Sequence, residues 1–304
     1  MTETISTFQL LELFPNAEAA RIYLEGRLWK DGCKCPTCKS GERITVRKGG
    51  FYRCNACQLD FTVRTGTIFE RSHIPLHKWV YTMYILVTAR KGISSLQLAK
   101  EIGVTQKSAW FMLYRLREAC GSDIGKLSGT IEIDETFVGG KEINKHAHKK
   151  LKAGRGAVGK QSVIGLRQRG GNTKGFVVDT TNLGTVQNTI FNNIKIGSTV
   201  FTDEHPSYGR TGGLFFNHST VNHSAGQYVL GNVHTNSIES FWALLKRGIV
   251  GVYHHTSPKH LNRYVDEFAF RLNFGNVKRT TIERLDSFMD AVAGKRITYQ
   301  ELIA

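Results

Sequence analysis

His234-Thr-Asn-Ser-Ile-Glu-Ser-Phe-Trp-Ala-Leu-Leu-Lys-Arg247 decides what the rest of the chain has to provide. At about 100° per residue on a helical wheel, Ile238, Phe241, Trp242, Leu245 and Ile249 form one apolar stripe. Glu239 and Lys246 are seven positions apart, so they point within about 20° of each other on a flank outside that stripe. Asn236 sits one turn before Glu239. The helix therefore buries one face and sets an acid, an amide and a cation beside it. Two aspartates carried by strands, Asp134 and Asp203, are expected to meet that polar flank.

The strands lie upstream. Gly129-Thr-Ile-Glu-Ile-Asp-Glu-Thr-Phe-Val138 reads as a first strand. Residues 163–167 and 175–180 read as two more, linked by the turn cluster Arg169-Gly-Gly-Asn-Thr. Residues 183–194 follow as a helix, and Ser198-Thr-Val-Phe-Thr-Asp203 as a fourth strand ending on a carboxylate. Residues 218–223 suit a fifth strand, and residues 258–274 and 281–292 supply closing helices. Three strands, a helix, two strands and a helix predict an α/β domain with a mixed sheet of RNase H type. Residues 139–160 are rich in Lys, His and Gly. They read as an exposed, mobile basic loop, either a phosphate contact or a solvated linker.

The N-terminal part has a different texture. Cys35-Pro-Thr-Cys38 and Cys54-Asn-Ala-Cys57 are separated by fifteen residues. Zn²⁺ prefers four thiolates in a tetrahedron, and each Cys-x-x-Cys turn supplies two. Short β-like runs at 44–48 and 51–53, joined by Gly49-Gly50, give the hairpin of a zinc ribbon. A redox pair or unpaired core thiols are the alternatives; Cys33 and Cys120 are left over. Before the ribbon, residues 8–28 have roughly helical spacing, broken at Pro15. After it, a helix from Pro75 to about residue 90 precedes residues 96–102, a turn at Gly103, and a helix over 106–120 capped by Thr105. This is a helix-turn-helix pattern, with Lys107 and Arg115 as candidate DNA contacts and Arg117 beside them. A plain helical bundle with solvated charges is its alternative.

The chain has 304 residues and a formal charge of +16, which favours a polyanionic partner, nucleic acid first. The N-terminus shows no basic region followed by an apolar one, so no signal peptide is expected. The longest apolar stretch, over 79–89, is too short to span a bilayer. A cytoplasmic protein without membrane partners is expected, its six cysteines kept reduced and suited to metal.

Asp134, Asp203 and Glu239 form a candidate carboxylate centre. Two divalent ions about 3.5–4 Å apart activate an attacking oxygen and stabilise the leaving one at a phosphodiester. Mg²⁺ needs only a few protein carboxylates, with water and phosphate completing its shell. Lys246 is placed to bind the phosphate backbone as a point charge. Strand alternation turns Glu135 away from Asp134 and leaves Glu132 on the same side as a rival ligand. Asn236 and Glu239 also fit a variant capping box, which would make them helix-start devices only.

The order of the Cys-x-x-Cys pairs, Ile131-Glu-Ile-Asp-Glu-Thr-Phe-Val-Gly-Gly140, Thr202-Asp-Glu-His-Pro-Ser-Tyr208 and the 234–247 stretch resembles bacterial insertion-sequence transposases. Val252-Tyr-His-His-Thr-Ser-Pro-Lys-His260 fits them as well. The branch it is similar to joins an N-terminal zinc ribbon to a DDE-type, RNase H-like catalytic domain. The resemblance implies metal-dependent strand cleavage at transposon ends and strand transfer into target DNA. Asp134 and Asp203 match the first two catalytic acids. The third position is Glu239 or Asn236, because the branch carries an Asp-Asp-Asn-Lys or Asp-Asp-Glu-Lys signature; the seven-residue step to Lys246 favours Glu239.

The expected organisation is a helical lead-in (1–30), a zinc ribbon (31–67), a helix-turn-helix-like module (73–121), a catalytic domain (128–275) and a helical tail (276–304). Structural Zn²⁺ is expected on Cys35, Cys38, Cys54 and Cys57, and Mg²⁺ or Mn²⁺ on Asp134, Asp203 and Glu239. Lys107, Arg115, Lys246 and Arg247 are the expected DNA contacts. The partners implied are double-stranded DNA and further copies of the chain in a synaptic complex. The competing expectation is a non-catalytic DNA-binding protein, a regulator or domesticated relative.

Overall fold

The computed structural model describes residues 4–121, 124–140, 142–151, 158–208, 217–222, 225–226 and 229–303. The chain divides into two compact units, Met1–Ser122 with Phe274–Ala304, and Asp123–Asn273.

In the first unit, α1 (Thr7–Leu13) opens on a capping box between Ser6 and Gln9. Pro15 interrupts the helix, and Asn16 restarts it as the cap of α2 (Ala17–Leu28). Strands β1 (Ile44–Arg47), β2 (Phe51–Cys54) and β3 (Leu59–Phe61) form an antiparallel sheet. Gly49 and Gly50 close its first hairpin at φ 75° and 77°, a region that a side chain makes costly. The buried core of this sheet is only Cys35, Tyr52, Cys54 and Phe61, with Trp29 packed edge-on to the two rings. A core that small needs a metal staple to persist.

Three helices follow: α3 (Leu76–Thr88), α4 (Ser95–Ile102) and α5 (Gln106–Cys120). Helix α4 stops on Gly103 in the left-handed region, and Thr105 accepts from the Ser108 amide to start α5. The expected helix, glycine turn and longer helix are all present. The apolar run over 79–89 is largely a buried face of α3, and no described helix is long and apolar enough to cross a membrane.

The second unit is a five-stranded sheet. Its strands are β4 (Thr130–Val138), β5 (Gln161–Gln168), β6 (Thr173–Val178), β7 (Thr199–Thr202) and β8 (Asn217–Thr220), with α6 (Leu183–Asn193) between β6 and β7. The spatial order is β6-β5-β4-β7-β8. The first three strands form an antiparallel meander, and β7 and β8 run parallel to β4. A meander followed by two parallel strands added at its first strand is the RNase H-like topology. It brings the chemistry-bearing strands β4 and β7 to the middle of the sheet.

Alternation along the strands sorts the two faces. Ile131, Ile133, Ile164, Leu166 and Val200 pack with Val186 and Ile190 of α6. Val138 and Val163 face the other way, towards α7 (Asn236–Gly248) and α8 (Pro258–Leu272). The apolar stripe read from the sequence of α7 is the buried one: Ile238, Phe241, Trp242, Leu245 and Ile249 are all in this core. Helix α7 also runs on into a π-helical turn over Ile249–Tyr253, which its sequence did not announce. Gly165 on β5 is a required absence. A Cβ there would lie 2.5 Å from the Trp242 ring and 2.7 Å from Ile238, so only glycine lets α7 settle this close.

Between β4 and β5, the described residues of the basic loop form two exposed 3₁₀ turns, Glu142–Asn144 and Ala147–Lys149; residues 141 and 152–157 of that loop lie outside the described set. After α8 the chain returns to the first unit. Helices α9 (Thr281–Asp290) and α10 (Tyr299–Ile303) belong there. Asp286 accepts from the Tyr23 hydroxyl, Asp290 pairs with Arg27 at 2.6 Å, and Arg284 donates to the Val87 carbonyl at 2.6 Å. The segment expected as a tail is thus part of the N-terminal helical unit.

Candidate carboxylate centre and cysteine cluster

Strands β4 and β7 are paired in parallel, Thr130 opposite Thr199, Ile131 opposite Val200 and Glu132 opposite Phe201. The same step carried forward sets Asp134 level with Asp203, one residue past the end of β7. Level residues on neighbouring strands point to the same face, with backbones about 4.8 Å apart. The register thus directs both aspartates towards the face that α7 covers.

The electrostatics agree with that placement. Burial, then the charges of Glu135 and Asp203, push the Asp134 carboxyl up to about 7. The Trp242 indole works in the opposite direction: its Nε1 donates to Asp134 Oδ2 at 2.9 Å, and the Glu135 amide donates to Oδ1 at 2.9 Å. Asp203 Oδ1 accepts from the His205 amide at 3.0 Å, which folds the chain sharply after β7. Neither carboxylate is fully buried, and the like charge of Asp203 acting on Asp134 makes the pair receptive to a cation. All the donor atoms are hard oxygens, which suits Mg²⁺ or Mn²⁺.

Glu135 points to the other face, as alternation requires, yet it is not solvated. It accepts from the buried Tyr208 hydroxyl, and His205 Nδ1 lies 3.7 Å from its other oxygen. Burial and the charge of Asp203 raise its carboxyl above the usual range, opposed by the Tyr208 bond. Burial, then the charge of Glu135, raises the Tyr208 hydroxyl well above its ordinary value.

Helix α7 sets Glu239 in its first turn, exposed, with Thr235 Oγ1 donating to Oε1 at 2.8 Å. Glu239 lies one turn, about 4.5 Å of rise, before Trp242, whose indole touches Asp134. Asn236 is the exposed first residue of the helix, and Lys246 and Arg247 are exposed in its last turn. Asn236 and Glu239 do not form the capping box that their spacing allowed. The cap residue is Thr235, and its side chain caps no amide.

Glu132 does that work instead. It was expected as a rival ligand, but it is fully buried and accepts from the amides of Ser237 at 2.7 Å and Ile238 at 3.1 Å. Arg169 Nε holds the same carboxylate at 2.7 Å. With both oxygens so engaged, Glu132 has no capacity left for a metal ion.

A second correction concerns Arg115. Expected on DNA, it is 8% exposed, donates to the Ile68 and Glu70 carbonyls at 2.9 Å each, and lies over the Phe111 ring. Its neighbour Arg117 is buried as well. Both guanidinium groups face inward from α5. Lys107 remains at the surface, its Nζ 4.7 Å from the centre of the Tyr299 ring.

The four cysteines converge. Cys35 and Cys57 sulfurs are 3.6 Å apart, Cys38 and Cys54 3.5 Å, and all four lie within 4.8 Å of one another. A tetrahedron with Zn–S near 2.3 Å has edges of about 3.8 Å, so the cluster fits Zn²⁺ with little movement. Cys33 and Cys120 take no part in it.

Residues 126–273 match the family model described as an ISXO2-like transposase domain, and residues 15–60 match a transposase zinc-ribbon domain. An uncharacterized protein in transposable element ISH50 of Halobacterium salinarum is 28% identical over 276 residues, covering 86% of this chain and 92% of that protein. Among solved structures, a simian T-cell lymphotropic virus intasome complexed with a PP2A regulatory subunit is similar at 12% identity over 64% of either chain, with a TM-score of 0.28. A Mos1 transposase paired-end complex is similar at 12% identity, covering 63% of this chain and 76% of that one, with a TM-score of 0.21. At such scores the fold rests on the strand order itself. The chain thus carries a transposase zinc-ribbon domain followed by an ISXO2-like transposase domain, and resembles insertion-sequence transposases of that build.

Proposed function

We propose that this transposase binds the ends of its own element, cuts a DNA strand there and joins it to target DNA, with divalent metal held by Asp134 and Asp203. The observation that supports this best is the β4–β7 register, which carries Asp134 and Asp203 towards one level on the α7 side of the sheet, where the charge of Asp203 acts on Asp134. Glu239 is the third ligand, reached from the first turn of α7, with Asn236 as the competing side chain one turn earlier. Asp134, Asp203 and Glu239 would hold divalent ions there, and the chemistry such ions would supply is Lewis acidity towards the scissile phosphate and the attacking hydroxyl. The chain's own groups do the rest. Trp242 fixes the orientation of Asp134, the Asp203 turn directs its carboxylate to the shared face, and Lys246 holds the phosphate backbone beside the scissile bond. The zinc ribbon and the α4–α5 motif supply the duplex contacts, with Lys107 among them, and the charge of +16 provides the sequence-independent part of the affinity. Two or more copies act together on paired ends.

Strand cleavage on an end-containing duplex with Mg²⁺ or Mn²⁺ tests this reading. Asp134→Asn and Asp203→Asn are expected to reduce cleavage at least 10³-fold, roughly the scale of losing a charge-stabilising group, while DNA binding persists. Glu239→Gln is expected to be nearly as severe and Asn236→Ala mild; the reverse order would move the third ligand to Asn236. Binding without nicking by the unaltered protein, under either metal, would leave a non-catalytic DNA-binding protein.

A further inference from the structure

The ion pair between fully buried Glu132 and partly exposed Arg169 touches every element that carries a candidate ligand. Glu132 lies on β4 two residues before Asp134 and on the same face. Its carboxylate holds the first turn of α7 through the Ser237 amide, the Ser237 hydroxyl at 3.1 Å and the Ile238 amide. Arg169, in the turn between β5 and β6, holds Glu132 through Nε and uses its remaining nitrogens on the segment that leads into α7. One donates to the Asn232 carbonyl at 2.6 Å and the other to the His234 carbonyl at 3.0 Å. Its guanidinium also lies 4.7 Å from the centre of the Phe201 ring, on the strand that delivers Asp203.

We infer that Glu132 and Arg169 are positioning residues that fix where the first turn of α7 stands relative to Asp134 and Asp203, and so set how tightly the three-ligand site takes a divalent cation. This rests on the metal-site reading proposed above and deepens it. Three physical points carry it. Burying the Glu132 charge costs desolvation that offsets most of its attraction to the partly exposed Arg169, so the worth of the pair lies in geometry. A carboxylate at a helix N-terminus satisfies amides that nothing else caps, and here Thr235 caps none of them. The planar guanidinium is the one side chain that presents enough fixed donors to hold an acid and two carbonyls at once. Helix α7 is free to be set in this way because its own start signal is weak. Its apolar stripe fixes its rotation on the sheet, and the ion pair fixes its first turn.

Mn²⁺ binding to the DNA-free protein is the test, read by the loss of the free-ion signal in electron paramagnetic resonance. Wild type, Asp134→Asn, Arg169→Lys and Glu132→Gln are compared, with circular dichroism on each. Arg169→Lys keeps the charge and loses the fork; Glu132→Gln keeps an acceptor for the helix amides and loses the charge. Both are expected to stay folded and to bind Mn²⁺ at least tenfold more weakly, and the cleavage rate is expected to recover partly at saturating Mn²⁺. If Mn²⁺ binds the wild type and Asp134→Asn equally, or neither of them, the metal-site reading itself fails. If Asp134→Asn loses the ion while folded Arg169→Lys and Glu132→Gln bind as the wild type does, the metal site stands and the positioning role is overturned. Loss of folding in both variants, unrepaired by Mn²⁺, would assign the pair to core stability and overturn it equally.

Discussion

The cysteine cluster and the carboxylate centre are both candidate metal sites, built in opposite ways. The four sulfurs come from 23 consecutive positions, Cys35 to Cys57, and two tight turns and one hairpin bring them together. The candidate carboxylates come from positions as distant as Asp134 and Glu239, on a strand and a helix that must both form before either is placed; among the described residues only the cysteines form a group of three or more such side chains close enough to share an ion. The ribbon has almost no core without its ion, so its metal is part of its fold. The carboxylate centre has a full core on both faces of its sheet, so its fold pre-exists and pays for the repulsion it holds. One site should collapse when emptied. The other should relax.

Removing zinc is the largest expected effect. Chelation, or Cys54→Ser, is expected to melt β1–β3, given that structural zinc contributes on the order of 10 kcal/mol to small modules. Loss of the Trp29 and Tyr52 aromatic signal in near-ultraviolet dichroism, together with zinc release, would register it. Mn²⁺ binding at Asp134 should survive the same treatment. A ribbon that keeps its spectrum without zinc would erase the contrast.

The carboxylate centre should respond the other way to losing a ligand. The folded Asp134 carboxyl titrates near 7 and the unfolded one near 3.8, so the folded state binds the extra proton between those values. Stability of the metal-free protein is therefore highest below about pH 4 as far as this group is concerned. It falls as pH rises towards 7, by at most about 1.4 kcal/mol per unit, and flattens above. Asp134→Asn removes that slope, so at pH 7.5 the metal-free variant should melt several degrees higher than wild type while being inactive. Melting curves from pH 5 to 8, with and without Mg²⁺, check this; a lower melting point for the variant would mean that the centre is not under repulsion.

Gly165→Ala should cost less, about 1–3 kcal/mol of overpacking against Trp242, and should also disturb the indole bond to Asp134. Urea denaturation gives the first and tryptophan fluorescence the second. Arg115→Ala and Lys107→Ala give the smallest pair. The first should lose about 2 kcal/mol of stability through its two carbonyl bonds and leave the salt dependence of DNA binding unchanged. The second should leave stability alone and flatten that salt dependence by about one counterion. Exchanged outcomes would restore Arg115 to the DNA surface.

The contrast between the sites also explains what was legible in the sequence. The ribbon ligands are readable because their spacing is the geometry. Asp134 and Asp203 are readable because each ends or punctuates a strand pattern of period two, and the stripe of α7 because its period is 3.6. The role of Glu132 was not, since nothing local distinguishes an acid that binds metal from one that caps a helix over 100 residues later. Arg115 and Arg117 sit on a helix whose polar residues looked solvated; only the carbonyls at Ile68 and Glu70 show that α5 turns Arg115 inward. Gly165 was visible as a glycine within a strand, a signal of close approach, but its partner Trp242 was not. The return of α9 to the first unit has no local signature, because contacts such as Arg284 with Val87 depend on chain path alone.

Anomalous diffraction at the manganese edge, from crystals soaked in Mn²⁺, tests the central claim most directly. A peak within about 2.2 Å of carboxylate oxygens from both Asp134 and Asp203 is expected, with Glu239 turned towards it. A peak bound to only one of the two aspartates, or none on that face of the sheet, would contradict the account.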